Sequence, residues 1–179
     1  WLSQQFGRRN YFVTSIIIFT TASFLCGNAD NIWELVTFRF IQGLGGGALL
    51  VTAQTIITES YPMAKLGMAQ AIYGMGVIVG PTLGSPLGGY LVDNYSWPYI
   101  FYINIPLGII ATILALTFVK SPKYGEKLKS NQVDWLGIFL LMAFIGSLQY
   151  VLEHGQQDDW FNNKTIIILS TITVFGLVL

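Results

Sequence analysis

Charged side chains cut this chain into long apolar stretches: residues 10–29, 40–58, 66–92, 94–119 and 135–152 contain no Asp, Glu, Lys or Arg, and 165–179 opens another. Crossing about 30 Å of hydrocarbon takes roughly 20 helical residues at about 1.5 Å each. The stretches are of that order. Lipid tolerates only helices and closed barrels as spanning structures, and the period-two alternation of a barrel strand is absent. The pattern therefore predicts an all-α membrane protein with about six transmembrane helices, the last truncated.

Between the spans lie short polar segments, so successive helices are expected to be antiparallel neighbours. The exception is residues 120–134, which are polar and punctuated by Pro122 and Gly125. This segment reads as a cytoplasmic linker between residues 1–119, part of a helical bundle, and residues 135–179, two further helices. Lys and Arg collect on the cytoplasmic side of membranes. With the first end inside, the inner segments hold Arg8, Arg9, Lys65, Lys120, Lys123, Lys127 and Lys129, and the outer ones only Lys164. That asymmetry orients the chain with its residue 1 end in the cytoplasm. Trp33, Trp97, Tyr99, Trp135 and Trp160 fall near span ends, as an aromatic belt requires.

Composition agrees. Only 10% of the 179 residues are charged, 53% are hydrophobic and 15% aromatic, and mean hydropathy is +0.58. A soluble domain carries about a quarter charged residues. Net charge is zero, so nothing suggests a nucleic-acid partner. Cys26 is the single cysteine, which excludes a disulfide framework or a thiolate metal site and leaves it a small packing residue. The chain opens inside a motif rather than at a methionine, so it is taken as a fragment.

Arg39 is the first candidate for chemistry, because a guanidinium at a helix centre in lipid costs about 2.5–3.5 kcal/mol. Counting by threes and fours puts Gln42, Gly43 and Gly46 on its face: a cation, an amide and glycines that admit a close neighbour. The alternative is an arginine near the outer end that snorkels to the headgroups. Gly43, Gly45 and Ala48 also match a dinucleotide-binding turn, but that motif needs a strand before it and a soluble βαβ unit around it. Farther on, Gly76, Gly80, Gly84 and Gly88 recur every four residues and flatten one helix face for close packing. Pro81 and Pro86 interrupt the same helix and free backbone carbonyls, which predicts a bend. Close packing and a rocking interface both fit.

No Asp or Glu lies deep in a span; Glu59, Asp93, Asp134 and Glu153 are all at ends. A proton carrier needs a carboxyl whose pKa burial can raise, so it is expected outside this fragment. His154, beside Glu153, reads as a solvated end residue. Gln54, Tyr73, Tyr102 and Gln149 are polar side chains within spans that can line an apolar cavity and contact a substrate. The glycosylation sequons at Asn94 and Asn163 are too short to separate from chance.

Several motifs resemble those of the major facilitator superfamily. Residues 1–9, ending in Gly7, Arg8 and Arg9, resemble its loop signature Gly-x-Leu-Ala-Asp-Arg-x-Gly-Arg-Arg. Arg39-Phe40-Ile41-Gln42-Gly43-Leu44-Gly45 is similar to its fourth-helix Arg-x-x-Gln-Gly-x-Gly motif, and Gly76 to Gly84 resembles its antiporter signature Gly-x-x-x-Gly-Pro-x-x-Gly. The segments from Trp97 to Gly108, from Gly146 to Gln149, and at Asp159, Trp160 and Phe161 resemble the 14-helix drug/proton antiporter branch. The resemblance implies a major facilitator fold fragment, helices three to eight of such a transporter: helices three to six of the amino-terminal bundle, then two extra inter-bundle helices.

It also implies proton-coupled efflux of hydrophobic small molecules from the cytoplasmic, or inner, membrane by a non-enzyme without cofactors, protons being the coupling ion. Arg39, Gln42 and Gly43 would serve proton coupling. Gly76, Gly80, Pro81, Gly84 and Gly88 would form the antiporter helix, and Gly7, Arg8 and Arg9 the cytoplasmic gating loop. A membrane-fusion adaptor and an outer-membrane channel are implied partners. Gln4 and Gln5 replace the Asp-Arg pair of the signature, so its usual charge lock cannot form. A same-fold exporter of one metabolite or siderophore, and a non-transporting sensor or scaffold, are the alternatives.

Overall fold

The computed structural model describes residues 2–119, 134–157, 160 and 163–178. Every regular element among them is helical: α1 (Leu2–Phe6), α2 (Arg8–Gly27), α3 (Ile32–Ser60), α4 (Met63–Asn94), α5 (Tyr99–Tyr102), α6 (Asn104–Phe118), α7 (Trp135–His154) and α8 (Lys164–Val178). Arg8–Gly27, Ile32–Ser60, Met63–Asn94, Tyr99–Phe118 and Trp135–His154 are long and apolar enough to cross a membrane, and Lys164–Gly176 is a shorter apolar helix. The chain divides into two compact units, Trp1–Leu128 and Lys129–Leu179. The expected linker lies outside the described residues except for Asp134.

Local chemistry sets the helix ends. Asn31 caps α3, its Oδ1 accepting from the Glu34 N–H at 2.9 Å. Glu34 answers by accepting from the Asp30 N–H at 3.1 Å and the Asn31 amide at 2.8 Å, a reciprocal cap of the kind that satisfies orphan helix-end donors. Asp134 caps α7 through the Gly137 N–H at 2.9 Å. α3 stops at Tyr61, which is extended (φ −109°, ψ 137°) because Pro62 follows and disfavours helical backbone before it.

The span expected at 94–119 is not one helix. Backbone leaves the helix after Asn94, turns through Ser96–Pro98, and breaks again at Ile103 between α5 and α6. Pro98 and Pro106 explain both interruptions. Neither can donate a backbone hydrogen bond, and Pro106, falling in the first turn of α6, occupies a position where the missing donor does no harm. In contrast, α4 runs unbroken from Met63 through Pro81 and Pro86 to Asn94.

In the first unit, α2 is the hub, packed against α1, α3, α5 and α6, whereas α4 packs mainly against α3 and α5. Val13, Ile16 and Ala115 form its small buried core, with Phe12, Leu49, Ala111 and Val119 packed around it. Close approach is set by glycine. A Cβ on Gly45 would lie 2.9 Å from the Phe19 nitrogen and 3.0 Å from the Ser15 carbonyl oxygen of α2. One on Gly108 would collide with Thr20, and one on Gly27 with the Tyr102 ring. In the second unit, α7 and α8 pack together, joined by the Ser147 and Thr173 hydroxyls at 2.8 Å.

Candidate functional site

Arg39 lies in the second turn of α3, and two neutral groups hold its guanidinium. Nη1 donates to Gln42 Oε1 at 3.3 Å, a contact the three-residue spacing makes possible. The guanidinium carbon stands 4.5 Å above the centroid of the Phe101 ring from α5, within range for a cation–π attraction. Gln42 is only 5% exposed. Its Nε2 donates to Ser23 Oγ of α2 at 2.5 Å, and the Cys26 Sγ lies 4.0 Å from its Oε1. Arg39 itself is exposed, and its guanidinium reaches Gln42 on its own helix and Phe101 of α5. Among the described residues no carboxylate pairs with it.

Gln42 shares the site anticipated from sequence; Gly43 does not. Among the described residues outside the adjoining α3 backbone, nothing stands within 4 Å of a Cβ built on Gly43, whereas Gly45 and Gly46 press against α2, Gly46 against the Phe19 ring. The inward face of α3 is thus Gln42, Gly45 and Gly46. Ser23 and Phe101 were not anticipated. Small residues at Ser15, Ala22, Ser23 and Cys26, recurring at helical spacing and all buried, were the available signal for the first. Cys26 is buried as a packing residue and also touches this network.

The residues expected to form the gating loop converge at the other end of α2. Gly7 precedes the helix with φ 80°, a left-handed value glycine adopts without strain. Arg8 forms an ion pair with Glu59 at the end of α3, and Arg9 Nη2 donates to the Leu116 carbonyl of α6 at 2.6 Å. One end of α2 is thereby tied to the last turns of both neighbours. Glu59, expected only as a helix-end acid, supplies the pairing.

Gly76, Gly80, Gly84 and Gly88 present an open face: apart from the adjoining backbone of α4, no atom of the described residues stands within 4 Å of a Cβ on any of them, and α4 has no buried residue. The polar span residues are placed individually. The Tyr73 hydroxyl donates to the Leu50 carbonyl at 2.8 Å and the Tyr102 hydroxyl to the Gly27 carbonyl at 2.9 Å. Gln54 is exposed, and Gln149 is exposed in the other unit. An apolar cavity of about 300 Å³ lies between α2, α3 and α6, lined by Phe12, Phe19, Leu49 and Leu107 among others, with Asn104 its one polar side chain. His154 is half-buried and stacks on Tyr150 at 4.5 Å, so it is not the fully solvated end residue expected.

Five helices long and apolar enough to cross a membrane define a multi-pass membrane protein in contact with lipid. The Major Facilitator Superfamily pattern matches residues 1–179, and the chain belongs to that family, one of transporters rather than enzymes. It is 36% identical to the multidrug export protein EmrB of Haemophilus influenzae over 99% of its length and 34% of the relative's. It is 37% identical to EmrB of Escherichia coli, over 99% and 34%, and 38% identical to the fatty acid resistance protein FarB of Neisseria gonorrhoeae, over 94% and 33%. The chain thus spans about a third of the curated relatives it matches.

Proposed function

We propose that this chain is part of a proton-coupled antiporter that exports hydrophobic drug-like compounds across the cytoplasmic membrane. Its residue 1 end faces the cytoplasm, and it works by alternating access, two bundles rocking about a central site. The observation that carries this is Arg39: a guanidinium held by an amide oxygen and an aromatic face, with no carboxylate pairing it among the described residues. Such a charge lowers the pKa of a carboxyl that approaches it, which is how a proton is released on one side of the cycle. Inward movement of one proton supplies about 2.3 kcal/mol per 100 mV.

Residues 1–119 belong to the amino-terminal bundle and 135–179 to the two inter-bundle helices in this reading. The antiporter helix α4 presents its glycine face to another part of the transporter, and the Arg8–Glu59 pair stands in for the lock that Gln4 and Gln5 cannot form. Gln54, Tyr73, Tyr102 and Gln149 remain proposed substrate contacts. A membrane-fusion adaptor and an outer-membrane channel are its partners where the host has an outer membrane.

The test is Arg39→Ala in the full-length protein reconstituted in proteoliposomes with a pH gradient. Insertion is expected to be intact and gradient-driven efflux abolished; efflux at the wild-type rate would refute the proposal. A narrower substrate range is favoured by one observation, the likeness to a relative named for fatty acid resistance. Competition by chemically unrelated compounds separates a multidrug pump, where they compete, from a carrier of one class, where they do not.

A further inference from the structure

The guanidinium of Arg39 carries only donors, so the Gln42 amide must turn its oxygen toward it. That choice sends the opposite end of the amide, Nε2, toward α2, where it needs an acceptor. Ser23 Oγ provides one at 2.5 Å. Ser23 is fully buried and Gln42 nearly so, which leaves no bulk water to take the hydroxyl's place. Phe101, itself 5% exposed, sets its ring 4.5 Å from the guanidinium carbon.

We infer that Ser23 and Phe101 are positioning residues for Arg39, Ser23 by setting which end of the Gln42 amide faces the guanidinium and Phe101 by holding its planar face. The inference rests on the proton-coupling role proposed above and extends it to residues of α2 and α5. Both partners are neutral, and this matters. A carboxylate would hold the arginine more strongly but cancel the field that a proton-carrying group is to feel. An amide oxygen and a ring face orient the charge and leave it uncompensated.

The titratable groups around the site are few. Cys26 faces it from α2. Tyr102, beside Phe101, has its hydroxyl on the Gly27 carbonyl. Glu34, on the same helix as Arg39, is engaged with Asp30 and Asn31. From α4, Tyr73 reaches α3 only at Leu50, about three turns away along a helix of roughly 3.6 residues per turn.

The experiment measures gradient-driven efflux against pH for the full-length transporter in proteoliposomes, with a lipophilic cationic dye as substrate. Ser23→Ala and Phe101→Leu are expected to lower the rate about three- to tenfold, the weight of one hydrogen bond or cation–π contact, and to displace the pH profile. Ser23→Thr and Phe101→Tyr should restore both. Gln42→Glu keeps the packing and strengthens the grip on Arg39, yet is expected to abolish coupling. A purely structural role would leave it active. Ser23→Ala and Phe101→Leu with the wild-type pH profile would overturn the inference. Arg39→Ala run alongside separates the two claims. If it retains coupled efflux, the proton-coupling role fails; if it loses coupling while the Ser23 and Phe101 variants keep the wild-type profile, only the positioning role fails.

Discussion

At the scale of single residues, glycine decides how closely α3 approaches α2, and the two inward glycines differ in what they would displace. A methyl group on Gly45 meets backbone of α2 at 2.9 and 3.0 Å, whereas one on Gly46 meets the edge of the Phe19 ring at 3.2 Å. A ring can shift by a few tenths of an ångström; two helix backbones must separate. Gly45→Ala is therefore expected to destabilise the full-length protein in detergent by about 1–3 kcal/mol, the range of overpacking, and Gly46→Ala by clearly less. Equal thermal shifts for the two would show that α2 and α3 yield freely. The same geometry explains what the sequence concealed. Arg39 and Gln42 were legible as a pair because their spacing is local to one helix. Which glycine faces inward depends on where α2 docks around α3, and Ser23 and Phe101 reach the site from 19 and 62 positions away in the chain. Periodicity within one uniformly apolar helix has no polar side to mark that direction.

At the scale of elements, two separate ties hold the α2 bundle at its ends. Tyr102 bridges α5 to the final carbonyls of α2, and Arg8 and Arg9 bridge its start to α3 and α6. The tyrosine hydroxyl serves a carbonyl near the α2 end, so Tyr102→Phe is expected to cost about 0.5–1.5 kcal/mol, the net weight of one hydrogen bond, measured as a loss of thermal stability. No loss would mean that water replaces the hydroxyl. The Arg8–Glu59 pair is partly exposed, 20% and 37% at the two side chains. A double-mutant cycle with Arg8→Gln and Glu59→Gln should give a coupling no larger than about 1 kcal/mol in stability. Its larger effect is expected on transport, because an ion pair between helix ends biases whichever conformation brings those ends together. Glu59→Gln that transports normally would remove the pair from the gate. The spans themselves were legible, since hydrocarbon thickness imposes their length. The break of the fourth span was not, because an apolar run carries no charge to punctuate it and its prolines act through backbone donors rather than polarity.

At the scale of the whole molecule, the distribution of cations and the helix order make one topology consistent throughout. α2 starts at Arg8 and Arg9, α3 ends at Glu59 beside them, and α6 ends at the carbonyl Arg9 binds, so the starts and ends that share a side also share the cationic segments. In the proposed orientation the turn between α3 and α4, with Lys65 just inside α4, lies on the cytoplasmic side. The end of α4, with Asp93 and Asn94, then lies on the opposite one. Cys26 is fully buried and should react slowly with a membrane-impermeant maleimide. In a background where other cysteines are replaced, Lys65→Cys is expected to label only in inside-out vesicles and Asn94→Cys only in right-side-out vesicles or cells. The reverse pattern would invert the orientation, and with it the direction of transport, because the gating pair would then close the outer side. Labelling of both positions from one side would require α4 not to span at all, contrary to a helix of 32 residues whose length of about 48 Å at roughly 1.5 Å per residue exceeds the hydrocarbon thickness.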